Sequence, residues 1–235
     1  MSFLNAEWRK LAMANYAIDK DILQKYIPAK TELDLWNNTC YVSLVGFMFI
    51  NVKLKGLKIP FHVNFEEVNL RFYVKHKENT EWKRGVVFIK EIVPKPALTI
   101  IANTIYKEHY ETLPMKHTWT ESENTRTAEY NWRCKGQWQT FKVTADKAQI
   151  PIAEGSEAEF ITEHYWGYSR HSDHKTIEYE VVHPKWQQYA VQDCAIDEDF
   201  GLVYGQDFAL LNGVRPMSVF LAEGSAISVE SKRVI

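Results

Sequence analysis

Between Val63 and Lys75 the chain reads VNFEEVNLRFYVK, and no other stretch restricts the fold as much. Side chains alternate faces along an extended strand. One face of this segment carries Val68, Leu70, Phe72 and Val74, with Glu66 at its start. The other carries Phe65, Glu67, Asn69, Arg71 and Tyr73. The first is a core face; the second is polar but rich in side chains that bind specifically. At roughly 3.4 Å per residue, Glu67 and Arg71 stand about 14 Å apart along a straight strand. They do not pair with each other, so each needs a partner from another strand or from a ligand. Two placements remain open on this pattern. One is the solvated face of an edge hairpin; the other is the lining of a closed β-lumen.

The rest of the chain is punctuated like a β-rich protein. Residues 7–17 read as a strand, and Asp19 reads as the N-cap of a short helix ended by Pro28. Residues 32–36 and 39–53 read as strands joined at Asn37-Asn38, a pair tolerant of positive φ. Residues 76–85 read as a polar turn and 86–93 as a strand. Pro94 and Pro96 then open a helix with Ala97, Ile100, Ile101, Thr104 and Ile105 on one stripe. A meander over 117–145 turns at Lys135-Gly136, and Ser156 with Glu159 has capping-box spacing. Strands over 176–182 and 219–229 follow, with 199–213 open between helix and loop. The pattern predicts nine or ten strands and two or three flanking helices, an α+β chain of mainly antiparallel sheet.

Composition then removes several classes of function. The 235 residues fit one domain, 1–235, and eight Trp, twelve Tyr and twelve Phe can fill a large core. A net charge of −2 lacks the basic surplus of a nucleic-acid binder. Glu7, Arg9 and Lys10 interrupt the start where a signal peptide is apolar, and the longest apolar run is too short for a membrane span. Cys40, Cys134 and Cys194 are odd in number and widely spaced, which argues for a reducing, cytoplasmic setting and against a zinc set. His171 and His174 have a metal-compatible spacing within SRHSDHK, but two histidines in a polar loop read as solvated, so no metal and no cofactor is expected. His183 reads as closing a strand end. Lys90 shares a face with Val86 and Phe88 by strict alternation. No phosphate-binding or nucleophile-elbow motif is present.

Several segments in order resemble a known family. They are FEEVNLRFYV at 65–74, GVVFIKEIV at 85–93, a Pro-led helix with Ala102 and Tyr106, and LPM at 113–115. EFITEHYWGY at 159–168 and VVHPKW at 181–186 continue the series. Together they resemble the YqjF-like family, within the acetoacetate decarboxylase-like superfamily. His164 departs from the arginine more usual at its position. The resemblance implies a cone-shaped antiparallel β-barrel with an interior cavity. It also implies that the enzyme's active-site arginine falls on Arg9 and its catalytic glutamate on Glu67. A second acidic residue falls near Ser43 and is missing. The Schiff-base lysine falls on Met115, which forms no imine, and the neighbouring lysine falls on Lys116. The expected function is therefore binding or processing of a small, anionic molecule in a polar lumen. Glu67 and Lys116 are the candidate catalytic residues, with Arg9, Asn69, Arg71 and Tyr73 as ligand contacts. A Schiff-base or other carbonyl lyase using Lys116 or Lys90, and a non-catalytic relative, are the alternatives. The decarboxylase relatives form oligomers, which makes a homo-oligomer an expectation here too.

Overall fold

The computed structural model describes residues 2–235. Among these residues, fourteen strands and four short α-helices follow one another. In chain order they are β1 (Leu4–Ala17), α1 (Lys20–Leu23), β2 (Glu32–Leu33), β3 (Tyr41–Leu54), β4 (Phe65–Glu78), β5 (Glu81–Val93) and α2 (Pro96–Ile101). Next come β6 (Tyr110–Thr112), β7 (Met115–Glu121), β8 (Thr125–Cys134), β9 (Gln137–Pro151), α3 (Glu157–Thr162) and β10 (Trp166–Ser172). The chain ends with β11 (Lys175–Val182), β12 (Gln187–Asp197), α4 (Phe200–Tyr204), β13 (Ser218–Val229) and β14 (Arg233–Val234).

The strands pair in the order β11–β10–β5–β4–β3–β1–β13, and β13 then meets β11 through Val181↔Val229 and Val182↔Ser228. The hydrogen-bonded path thus returns on itself as a ring of seven strands. β13 gives one edge to β1 along its length. Its other edge is divided, with Leu221 and Ala222 pairing β12 and Ser228 and Val229 pairing β11. From that division β12, β9, β8 and β7 continue as an outer wing. β4 lies inside the sheet, between β3 and β5, and both of its faces are buried. Val68, Leu70, Phe72 and Val74 face outward into a core shared with Tyr130, Trp132, Phe141 and Val143 of the wing and with Phe200 and Val203 of α4. Phe65 and Tyr73 face inward and pack with Phe47, Phe49, Leu11 and Phe160. The edge-hairpin reading of this strand is therefore replaced by an interior one.

Local rules explain most boundaries. The Asp19 side chain accepts from the backbone of Asp21 at the start of α1, and Ser156 accepts from the backbone of Glu159 at the start of α3. Asn37, Asn38 and Lys135-Gly136 take the positive φ expected at their turns. Four expectations need correction. The sheet is mixed, because β5 pairs β10 and β6 in parallel. β2 is two residues long and pairs β4, since the Asn37-Asn38 turn closes only an isolated Trp36–Thr39 bridge. Residues 76–85 are the tips of β4 and β5, turned at Asn79, because a hairpin tip reaching water is built of polar strand residues. The strands outnumber the nine or ten expected because β6 and β14 are only three and two residues long, while β10 and β12 are mixed in polarity and partly exposed, so none of the four carries an apolar signature. Among the described residues, no helix is long and apolar enough to cross a membrane.

Candidate functional site

The ring encloses a cavity of about 170 Å³. Trp8, Leu11, Phe47 and Phe49 form one wall, and Val86, Phe88, Leu98 and Ile101 form another. Into this apolar surround project Glu67, Asn69 and Arg71 of β4 with Glu91 of β5. Glu108, from the connection after α2, and Tyr110, at the start of β6, join them, as does Tyr179 of β11. Strict alternation along β4 places its three residues there. Glu91 arrives by a different device. β5 carries a bulge opposite Leu70 and Arg71, which pair with Lys90 and Phe88 respectively. The extra residue, Ile89, shifts the alternation by one. Lys90 is thereby turned outward, donating to Glu111 Oε2 at 2.7 Å and to the Val203 carbonyl. Glu91 is turned inward beside Asn69.

Glu108 comes from a left-handed residue, Lys107, at φ 57°, which breaks the helix and redirects the chain inward. Its Oε1 accepts a 2.8 Å bond from the Tyr179 hydroxyl. Tyr179 lies flat against Gly167, its direct partner across β10 and β11. A Cβ at Gly167 would stand 2.1 Å from the Tyr179 ring. Gly167→Ala should therefore dislodge Tyr179 and cost about 1–3 kcal/mol, as overpacking of a filled interior does. Chemical denaturation of the two proteins measures this. Equal midpoints would mean that Tyr179 swings away freely.

The three carboxyl groups are deeply buried and near one another. Burial pushes Glu67 up to about 7, with bonds from Asn69 Nδ2 (2.9 Å) and the Tyr110 hydroxyl (3.2 Å), and the Arg71 charge, pulling it back. Burial, reinforced by repulsion from Glu108 and then Glu67, holds Glu91 well above the carboxylate range. Glu108 is pushed up to about 8, mainly by burial, against the Tyr179 bond and with help from Glu67. Like charges in a dry site resist joint ionisation. The cluster thus stores protons at neutral pH.

Arg71 is 8% exposed, and its Nε has no protein partner. Among the described residues, no carboxylate lies within ion-pair distance of it, and Asn69 Oδ1 and one Glu91 oxygen also lack partners. His164 closes the far end of the cavity with its Nε2 3.1 Å from Asp34 Oδ2. Burial brings it down to about 4, so it is neutral there. His183 also lines the cavity, stacked on Trp186.

The remaining candidates lie elsewhere. Arg9 is half-buried outside the cavity and pairs with Glu7, because Lys10 at φ 54° opens an irregularity that turns Trp8 inward instead. Tyr73 is buried beyond the cavity, its hydroxyl 2.7 Å from Ser43 Oγ. Lys116 is exposed on β7 of the wing, over the Trp138 ring. Among the described residues, no lysine lines the cavity. His171 and His174 are exposed at the β10–β11 turn.

The pattern of the DUF2071 family, described as an uncharacterized conserved protein, matches residues 5–226. The chain belongs to this family. A relative by sequence is the uncharacterized protein YqjF of Bacillus subtilis (strain 168). It is 26% identical over 181 residues, covering 75% of this chain and 70% of that protein. The fold is that of acetoacetate decarboxylase-like proteins. The Legionella pneumophila acetoacetate decarboxylase superposes with a TM-score of 0.67 at 12% identity, over 99% of this chain and 86% of that one. The enduracididine biosynthesis enzyme MppR complexed with pyruvate gives 0.66 at 10% identity, over 100% and 91%. At such identities the likeness is one of fold.

Proposed function

We propose that the ring is a cone-shaped barrel whose lumen binds a small organic acid through Arg71 and moves a proton on it with Glu67. One observation carries this reading: a permanently charged guanidinium, buried in a largely apolar cavity, has no carboxylate within ion-pair distance, while Glu91 and Glu108 keep their protons. A buried, uncompensated charge is costly, and an incoming carboxylate would offset it. Glu67, at about 7, divides between its two forms at neutral pH, which suits a general acid or base. When ionised it would take a proton from carbon next to a bound carbonyl. The charge left on oxygen would then face Arg71 and protonated Glu91 or Glu108.

The fold relative MppR has been captured with pyruvate, an organic acid of fitting size, which adds support. Imine chemistry is the weaker reading, since no lysine among the described residues reaches the lumen. The three cysteines are unpaired, which favours a cytoplasmic setting. A small-molecule partner, no nucleic-acid or membrane partner, and homo-oligomeric assembly complete the proposal.

Pyruvate and larger 2-oxo acids should raise the melting temperature of the wild type and leave Arg71→Met unmoved. Loss of a buried charge partner weakens such binding by about 2 kcal/mol or more. In D₂O, proton NMR should show exchange at the carbon beside the oxo group, abolished by Glu67→Gln. Borohydride should trap no adduct on Lys90 or Lys116. If no oxo acid shifts the wild-type melting temperature, the proposal fails.

A further inference from the structure

The two ends of the cavity differ in kind. Along the ring, Leu4 pairs Leu54, Trp8 pairs Phe49, and Phe49 pairs Phe65. These residues, with Val52, Ile59 and Val229, lie beyond Glu67 on the side away from Arg71 and His164. The end of β3, the start of β4 and the end of β5 all lie on that side, so the 55–64 loop and α2 both emerge there. α2 lines the cavity with Ala97, Leu98 and Ile101, and Ala102 follows. Ile100, expected on the buried stripe, faces outward at 66% exposure. The loop contributes Ile59, which lines the cavity yet is 38% exposed, so the cavity opens here. Flanking it, Leu57 and Phe61 are 72% and 89% exposed. Phe61 does so at φ 64°, a conformation unfavourable for a bulky residue.

We propose that the ligand is an amphipathic organic acid whose apolar tail outgrows the cavity and leaves it between the 55–64 loop and α2, over Leu57, Phe61 and Ile100. This rests on Arg71 as the anchor of the acid head. An engineered apolar cavity of roughly 150 Å³ holds a single benzene. A space of about 170 Å³ therefore encloses little more than one ring or a short chain. Anything longer must cross the opening, and the side chains waiting there are apolar. Most polar groups gather at the head end, while the wall toward the opening is apolar apart from His62 and offers chiefly dispersion and burial. A charged head and a hydrocarbon body satisfy both ends at once.

Calorimetric titration with straight-chain carboxylates from acetate to dodecanoate tests this. Affinity should rise by about fourfold per methylene and keep rising beyond the length that fills the cavity. In the triple variant Leu57→Ser, Phe61→Ser, Ile100→Ser, dodecanoate should lose about tenfold or more in affinity while butanoate binds as before. The changed side chains are exposed, so the comparison is made on a folded protein. Carboxylates that require Arg71 but gain nothing with length would overturn the tail and leave the proposed function standing. So would a triple variant that binds dodecanoate as the wild type does, or one whose only change is in oligomeric state by light scattering. If no carboxylate of any length binds, the anchor falls and the tail falls with it.

Discussion

Between pH 6.5 and pH 8 the melting temperature should fall by roughly 5–12 °C, and Glu108→Gln should make that fall visibly shallower. A carboxyl whose pKa is raised on folding keeps its proton in the native state after the unfolded chain has lost it. The native state then binds more protons, and stability declines as pH rises until the folded pKa is passed. For Glu67 the decline runs from about 4.5 to about 7, and for Glu108 from about 4.5 to about 8. Glu91 adds to it in the same direction. His164 works the other way. Its folded value, about 4, lies below the ordinary 6.5, so it favours the native state increasingly as pH climbs through that interval. His183 is lowered too, chiefly by burial. Below about 6.5 the histidines and the acids oppose each other; above it only the acids remain. A tenfold difference in proton affinity between the folded and unfolded chains is worth about 1.4 kcal/mol, so the upper interval holds roughly 3 kcal/mol. Melting scans across this range measure it. A flat profile would mean that the cluster is hydrated and ionised like surface acids.

Neighbouring residues on β4 should give opposite results. Phe72→Ala should cost about 3–5 kcal/mol, because Phe72 is fully buried between the ring and the wing and its loss leaves a cavity. Arg71→Met should change stability by about 1 kcal/mol or less, since it removes an uncompensated charge and keeps the side-chain volume. Yet Arg71→Met should abolish organic-acid binding, whereas Phe72→Ala should retain it at temperatures where the protein is folded. Paired denaturation and titration of the two variants separate these effects. A large loss of stability from Arg71→Met would show the guanidinium to be a structural element of the ring.

The contrast also shows what a reader of the sequence can recover. Phe72 and Arg71 sort themselves by alternation, and the same alternation groups Glu67, Asn69 and Arg71 on one face. Glu91 escapes it, because the bulge at Ile89 inverts alternation without any glycine or proline to mark it. Strict alternation therefore puts Lys90 inward, where the folded chain has Glu91. Glu108 and Tyr110 carry no periodic signal, since a single left-handed residue aims them. Arg9 is displaced from its expected place for a similar reason, the irregularity at Lys10 turning Trp8 inward. The ring closure depends on two residue pairs between strands distant in sequence, information that no local pattern contains. Family likeness supplies the fold where local patterns end, but it also points to Lys116, which the wing holds away from the lumen.

The division of β13 between β1, β11 and β12 has a consequence for how the molecule is made. Arg9 and Gly224, 215 residues apart, lie opposite each other in the seam that joins β1 to β13. On the ribosome, β1 waits without one of its neighbours until nearly all the intervening chain has been synthesised, roughly 10–40 s at ordinary rates. Contacts of such long range are also slow to form once available. Until they form, the walls around Glu67, Glu91 and Glu108 stand apart and water reaches all three acids. Their protons are therefore taken up late, as the ring shuts, and the acid-lined cavity is among the last parts of the molecule to exist.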